Sequence, residues 1–491
     1  MRNLFRWRAV TVLIFLSVLA GSTTPLWGQD NPDTSKLLEK IRELERKSAA
    51  SDLKIQALEE RLATYENDAF GRSELETLVN GILDDDDARV TPRKAETLKI
   101  GGQFRFRGEY RTTKNYGAGV DDGTDFVIQR TRLNFDFRII ENLRAFVELQ
   151  DSRRWGDEGS VVNDLEGVDI HQAYVDFQNV FGEKWTFRVG RQELKYGDQR
   201  LISPLDWHPV GRAWDGVRTW FEGDDFQLDA FVTNVKEAHP AGERDDDWVF
   251  AGAYFHFTGI EDHVIDAYVF YRSFADGSFI NEAGGAGDLE DATFGLHFKG
   301  KTGGFSYMAE IVGQAGDRAG DDVWAYAWVA KAGYTFDTDW KPYIGAEWTF
   351  ASGDDDPTDG DYETFDPLFP FGHAYQGFLD IFAWRNGHDI VGHVSVKPRD
   401  DWWMGVDVHY FLLDSDTDAW YGAAGTPIRR VTAGGVSNDV GLELDIHAKH
   451  DLNAATKLWF GYSHFFPGDY VDDTGSSPAT DWVYFQMTIN F

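Results

Sequence analysis

The sequence predicts an all-β protein: a transmembrane antiparallel β-barrel of about eighteen strands, preceded by a short periplasmic coiled-coil helix. Three observations carry that prediction. First, the segment Asp481 to Phe491 alternates strictly. Val483, Phe485, Met487, Ile489 and Phe491 share one face, and Tyr484, Gln486, Thr488 and Asn490 share the other. A final strand of this kind suits a barrel that closes on its first strand, because an open edge in lipid leaves backbone groups unpaired. Second, period-two segments recur from Leu98 onward. They begin near 99, 127, 144, 170, 185, 214, 226, 248, 263, 291, 304, 323, 340, 388, 402, 439, 456 and 482. Third, the connections alternate between tight turns and long loops, as in barrels with short periplasmic turns and freely growing outer loops.

Composition narrows the class. The chain has 491 residues, no cysteine and a mean hydropathy of −0.42. That length requires several domains or one large barrel. Beyond the N-terminus no apolar run reaches the roughly 18 residues of a spanning helix, which excludes a helical membrane protein. The 18 Trp, 19 Tyr and 37 Phe suit the aromatic girdles of a barrel. A formal net charge of −36 excludes nucleic acid as a partner, since phosphate binding needs a basic surface. Solvated acidic loops account for that charge, and divalent cations held between the loops and the outer leaflet are the alternative. Lack of cysteine suits an oxidising envelope compartment.

In chain order, residues 1–28 read as a signal peptide. Arg2, Arg6 and Arg8 precede a short apolar core from Ala9 to Ala20, with cleavage expected near Gly28. Residues 29–96 are expected in the periplasm. Within them, residues 34–66 form a heptad helix in which Leu37, Ile41, Leu44, Ser48, Ser51, Ile55, Leu58, Leu62 and Tyr65 make an a/d seam. That seam serves either self-association or packing of a lone amphipathic helix. Asp84 to Asp87 and Pro92 mark a linker before the barrel of residues 97–491. Long loops are expected at 112–126, 151–169, 193–213, 234–247, 272–290, 315–322, 352–387, 413–438 and 467–481. Of these, 193–213 and 352–387 are the ones expected to fold into a pore. The compartment is the bacterial outer membrane, with lipid around the wall and the Phe491 strand presented to the barrel assembly machinery.

Alternation assigns the faces. Leu133, Phe135, Phe137 and Ile139 point to lipid, as do Val440, Leu442, Leu444 and Ile446. Arg105, Arg107, Arg130, Arg132, Arg138, Arg144, Arg188 and Arg218 point inward, together with Glu109, Asp136, Glu148 and Asp176. A polar inner face implies a water-filled or polar-plugged lumen rather than a packed core. Arginines crowd the first six strands and thin out after Trp220. They are either cross-strand braces paired with carboxylates or a basic pathway for an anion, for which a permanently charged, bidentate guanidinium is apt.

Between the fifth and sixth strands lie Gly190-Arg191-Gln192-Glu193-Leu194, Tyr196-Gly197-Asp198-Gln199-Arg200-Leu201, Trp207, Gly211-Arg212 and Asp215-Gly216-Val217-Arg218. This run resembles the signature of the alginate export family of outer-membrane porins. Gln103 to Arg111, Phe146 to Arg153 and His171 to Val175 are similar to that family's opening strands. The resemblance is dense over about 98–221. It implies an eighteen-stranded barrel passing an anionic polysaccharide through an arginine-rich lumen. The residues it implies for that lumen are Arg105, Arg107, Arg130, Arg132, Arg138, Arg153, Arg188, Arg191, Arg200, Arg212 and Arg218. Glu109, Glu148, Glu193, Asp198 and Asp215 are their implied carboxylate partners. The heptad helix lies outside that pattern and is similar to porins with an N-terminal coiled coil.

Other chemistry is sparse in the sequence. No catalytic motif is present, so a channel rather than an enzyme is expected. His297, His393, His409 and His447 read as lone wall residues, without the clustering a metal site needs. The acidic loop 353–361 offers oxygen ligands for loose Ca²⁺ binding without the spacing of an EF-hand. Three functions remain open: a channel for an anionic poly- or oligosaccharide, a general or phosphate-type anion porin that trimerises through the helix, and a plugged structural or adhesive barrel with Ca²⁺-binding loops.

Overall fold

The computed structural model describes residues 96–113, 116, 123–157, 167–180, 184–236 and 248–491. The chain divides into two units, Met1–Pro92 and Arg93–Phe491. The signal peptide, heptad helix and linker expected in the sequence lie outside the described residues.

The strands are β1 (Thr97–Arg111), β2 (Thr124–Ile140), β3 (Leu143–Arg154), β4 (Asp169–Gln178), β5 (Trp185–Gln192), β6 (Trp214–Glu222) and β7 (Phe226–Lys236). Then follow β8 (Trp248–Phe257), β9 (His263–Ile280), β10 (Ala286–Thr302), β11 (Phe305–Arg318), β12 (Asp321–Thr335), β13 (Tyr343–Ala351) and β14 (Asp361–Tyr362). The last are β15 (Gly387–Arg399), β16 (Trp402–Leu412), β17 (Ala419–Tyr421), β18 (Pro427–Arg430), β19 (Asp439–Asp451), β20 (Thr456–Pro467) and β21 (Thr480–Asn490). The short β14, β17 and β18 belong to connections. The other eighteen form one closed antiparallel barrel, in which β21 pairs with β1 from Gln103↔Asn490 to Arg111↔Trp482. Phe491 completes the seam: its N–H donates to the Gly102 carbonyl (3.1 Å), and its own carbonyl accepts from Gly102 N–H (3.0 Å).

Alternation sets the two faces. On β12, Val323, Ala325, Ala327 and Val329 are buried inward, while Trp324 and Tyr326 point outward at 62% and 53% exposure. Large apolar groups on the outside gain only when lipid replaces water there. All eighteen expected barrel strands are present. Two expected long loops are not. The connections at 272–290 and 315–322 are tight, because β9 runs to Ile280 and β11 to Arg318. Phe274 stacks on Trp248 and Phe279 lies tilted against it, with centroids 4.4 and 5.8 Å away, and together they hold the extended β9 end as strand. Strands β9 and β10, of 18 and 17 residues, outrun the roughly 9–11 that cross a bilayer, so this wall rises beyond the membrane. Val440 also departs from expectation. It is fully buried, because the register between β16 and β19 steps from Phe411↔Gly441 to Leu412↔Asp439 and turns Val440 inward. Gly441 adopts φ +135 at that bulge.

The long-loop half of the lumen is packed rather than merely polar, contrary to expectation. Residues 193–213 and 352–386 fold inward and join each other. Ser203 N–H donates to the Phe369 carbonyl (3.0 Å), Phe369 N–H to Leu201 (2.8 Å) and Phe371 N–H to Gln199 (3.0 Å). One apolar cluster sets Leu194, Ile202 and Trp384 against wall residues Phe231, Phe250 and Phe270. A second sets Trp207, Phe378 and Phe382 against Phe411, Phe465 and Trp482. Inward positions near this end are apolar, so the loops bury them as a core does.

Candidate functional site

Strands β1 and β2 deliver Arg105, Arg107, Arg130 and Arg132 to the inner face, where all four are buried. Their guanidinium groups end on the tip of the 193–213 loop. Arg105 donates to the carbonyls of Asp206, Trp207 (3.3 Å) and His208 (3.1 Å). Arg107 donates to the Trp207 carbonyl (2.7 Å), lies 3.6 Å from the centre of the Trp207 ring and pairs with Glu109 (2.6 Å). Arg130 holds the Asp206 carboxylate at 2.7 Å, and Arg105 stands 4.0 Å from the same group. The Asp206 side chain remains 61% exposed toward the lumen. Burial alone would raise its pKa, but Arg130 and Arg105 outweigh it and hold the carboxyl below the usual carboxylate range. Arg212 makes no ion pair among the described residues. It donates to the Pro370 carbonyl (2.8 Å), and burial lowers it to about 10.

Arg132 sits among Glu193 (3.3 Å), Glu148 (3.6 Å) and His171 (3.0 Å). Glu148, His171 and Glu193 are close enough together to hold a metal ion. The Arg132 guanidinium already supplies that cluster with a cation. Further along the wall, Arg144 bridges Asp136 (2.7 Å) and Asp176 (3.0 Å), Arg188 shares Asp176 (2.6 Å), and Arg218 pairs with Asp229 (2.5 Å). Arg138 is exposed at the short-turn mouth and donates to the Glu141 carbonyl (3.2 Å). Arg200 crosses the lumen to Glu347 on β13 (2.6 Å) and lies over the Tyr375 ring (3.8 Å).

Three sequence expectations need correction here. Arg191 shares its strand face with Val189, which is 41% exposed, and pairs with Asp215 (2.8 Å) on the outside, so neither lines the lumen. Arg153 lies on the same face of β3 as Leu149 and Asp151, opposite to buried Glu148 and Gln150, and pairs with Asp151 (2.9 Å). Asp198 partners Lys299 (2.7 Å) and His297 (3.7 Å) rather than an arginine.

The facing wall is built from carboxylates and histidines. The histidines are not solitary. His393 and His447 share Asp407 (2.6 and 3.1 Å), His409 lies between Asp389 (2.9 Å) and Asp445 (3.6 Å), and His297 bonds Asp266 (2.8 Å). Carboxylates of this wall and its loops accept backbone N–H groups of the second inserted loop. Leu379 donates to Glu443 (2.8 Å), Phe378 to Asp445 (3.3 Å) and Gly353 to Asp414 (2.9 Å). In the acidic loop, burial, Glu282 and Asp418 push the Asp354 carboxyl up to about 8. Asp206, Asp229 and Glu347 escaped the sequence reading. The loop's Asp206-Trp207 pair inside an arginine-rich stretch was the available signal for the first. The others depend on cross-strand or cross-lumen contact.

A closed eighteen-stranded barrel with a lipid-facing apolar surface and inserted loops is an outer-membrane channel of the porin class. The chain belongs to the alginate export family, whose model matches residues 96–485. No curated protein matches it. Among solved structures it is similar to Pseudomonas aeruginosa OpdQ at 12% identity and a TM-score of 0.54, covering 81% of this chain and 99% of that one. It is also similar to Pseudomonas aeruginosa OccK8 (OprE), at 13% identity and TM-score 0.53, covering 81% and 98%. Pseudomonas aeruginosa OccK11 (OpdR) aligns at 10% identity and TM-score 0.52, covering 80% and 95%. At such identities these likenesses speak for the fold.

Proposed function

We propose that this barrel passes an anionic poly- or oligosaccharide across the outer membrane, and that the inserted loops hold the lumen shut until an anion engages them. Family membership supports the reading, and one observation carries it. Arg105 and Arg130 converge on the loop tip around one carboxylate, Asp206. Their other contacts there are neutral carbonyls, which do not cancel a guanidinium's charge. Asp206 reaches from its arginines toward open lumen, as a solute carboxylate would from the other side. A uronate competing for Arg130 would displace Asp206 and slacken the loop. Inside a narrow bore such charges are poorly screened and can select.

The packed apolar clusters beneath the loops favour a second reading, a permanently plugged barrel with a structural or adhesive role. Planar-bilayer current under a salt gradient, with a uronic-acid oligomer added to one side, separates the two. Anion-selective openings that the oligomer modulates support the channel. Silence under all conditions supports the plug. Replacing Arg105 and Arg130 with Gln is expected to reduce anion preference, and unchanged selectivity would sink the arginine mechanism.

A further inference from the structure

The short-turn half of the lumen carries a cation that the loop anchors leave unused. Lys449 on β19 shares the inward face of Asp445 and His447, and among the described residues it makes no ion pair or hydrogen bond. Its ammonium stands 4.4 Å from the Trp459 ring centre and 5.2 Å from that of Trp403. Beside it, Gln486 Oε1 is buried without a hydrogen-bond partner, and Trp459 Nε1 is directed at the Tyr484 hydroxyl. Two cavities meet at this group: one of about 510 Å³ beneath Phe371 and Phe378, the other of about 470 Å³ at the short-turn mouth. Trp403, Lys449, Trp459 and Gln486 line both. Six of the seven carboxylates lining these cavities are held by cationic or histidine partners: Asp206 by Arg130, Glu347 by Arg200 and Lys331, Asp407 by His393 and His447, Asp445 by His409, Asp401 by Arg399 and Asp451 by Lys457 (3.4 Å); Asp400 lies on the turn between β15 and β16.

We propose that Trp403, Lys449, Trp459 and Gln486 form a binding subsite for one hexuronate residue, at the neck between the short-turn mouth and the loop-filled chamber. The proposal rests on the acidic-saccharide reading above. A pyranose ring has an apolar C–H face that suits an indole surface, and two indoles here flank one cation. The ammonium meets the sugar carboxylate, and Gln486 Oε1 accepts from a hydroxyl. Each unmatched group of the neck thus gains a partner from a single sugar unit, which is the economy expected of a built site. Arginines at the loop tip and this lysine would then contact successive parts of one chain.

The test is calorimetric titration of the full chain in detergent with a uronic-acid tetrasaccharide, with a neutral glucose tetrasaccharide as control. The wild type is expected to bind the uronate. Lys449→Gln is expected to weaken it about tenfold, as loss of one charge-assisted contact does. Lys449→Arg, which keeps the charge, is expected to retain binding, and Trp459→Phe to weaken the uronate. Heat-dependent gel mobility reports whether each variant is folded, and Gln486→Leu substitutes for any that is not. Wild-type binding with unchanged affinity in the folded variants overturns the subsite alone. No uronate binding by the wild type overturns the acidic-saccharide reading and the subsite with it.

Discussion

Two walls of this barrel grip two inserted loops by opposite ends of the peptide group. The β1–β3 wall presents arginine and glutamine side chains to carbonyls: those of Asp206, Trp207, His208 and Val210 accept from Arg105, Arg107, Arg132 and Gln150. The β16–β19 side presents carboxylates to amides: Gly353, Phe378 and Leu379 donate to Asp414, Asp445 and Glu443. Hydrogen bonds to charged groups are worth about 1.5–3 kcal/mol each, so either set can hold a loop. The early arginines and late acids of the sequence are therefore two anchoring systems. Each also carries local counter-charges: Asp206, Glu109 and Glu193 beside the arginines, and His409 beside Asp445.

Removing one partner of this arrangement altogether should have the largest effect. Replacing residues 199–208 with a Gly-Ser linker deletes the carbonyl anchors and the backbone pairing to 369–371. Single-channel conductance is expected to rise by roughly an order of magnitude, because the bore of an eighteen-stranded barrel is wide enough for water. Conductance at the wild-type level would show that these residues do not obstruct the path.

Loosening each wall separately should cost less and expose the coupling. Arg107→Ala strips the Trp207 carbonyl and ring of their cation, and Glu443→Gln weakens the anchor of Leu379. Arg107→Ala is expected to destabilise by about 2–4 kcal/mol and Glu443→Gln, whose amide oxygen still accepts from Leu379, by about 1 kcal/mol, read from urea unfolding in detergent. The double variant should lose less than the sum, because the loops share the Ser203–Phe369 pairing. Strict additivity would mean that the loops are independent.

Acid should act on the arginine flank through Asp206. Its pKa is depressed in the fold, so its contribution is fully present above the unfolded value of about 3.9 and is lost as pH falls through the lower folded value. More frequent openings are expected only below about pH 4, and none of that acid sensitivity should survive in Asp206→Asn. Smallest of all should be Arg153→Gln and Arg191→Gln. Both arginines face outward and pair at the surface, so stability should move by less than about 0.5 kcal/mol and the reversal potential not at all. A shifted reversal potential in either would return them to the lumen.

Strands were legible in the sequence because lipid on one side and a lumen on the other enforce period two over long stretches. Where the reading failed, a local irregularity or a distant partner was responsible. The bulge at Gly441 turned Val440 inward, and no composition signal marks a bulge. Residues 272–290 read as a long loop, and aromatic packing on Trp248 makes the first part of it strand. Parity alone separates Arg188 from Arg191, and a motif-based assignment overrode it. The ends of the arginines were out of reach in principle, since Arg105 meets a carbonyl 101 residues away. The same holds for His393 and His447, which share Asp407 only once β15, β16 and β19 are in register.

The most direct measurement is the reversal potential of the variant lacking residues 199–208, recorded in a planar bilayer under a tenfold KCl gradient. An arginine flank freed of its loop should make the open bore anion-selective, and adding Arg105→Gln and Arg130→Gln should move the potential toward zero. A cation-selective bore, or one indifferent to those two substitutions, would contradict an arginine pathway and leave the arginines as braces alone.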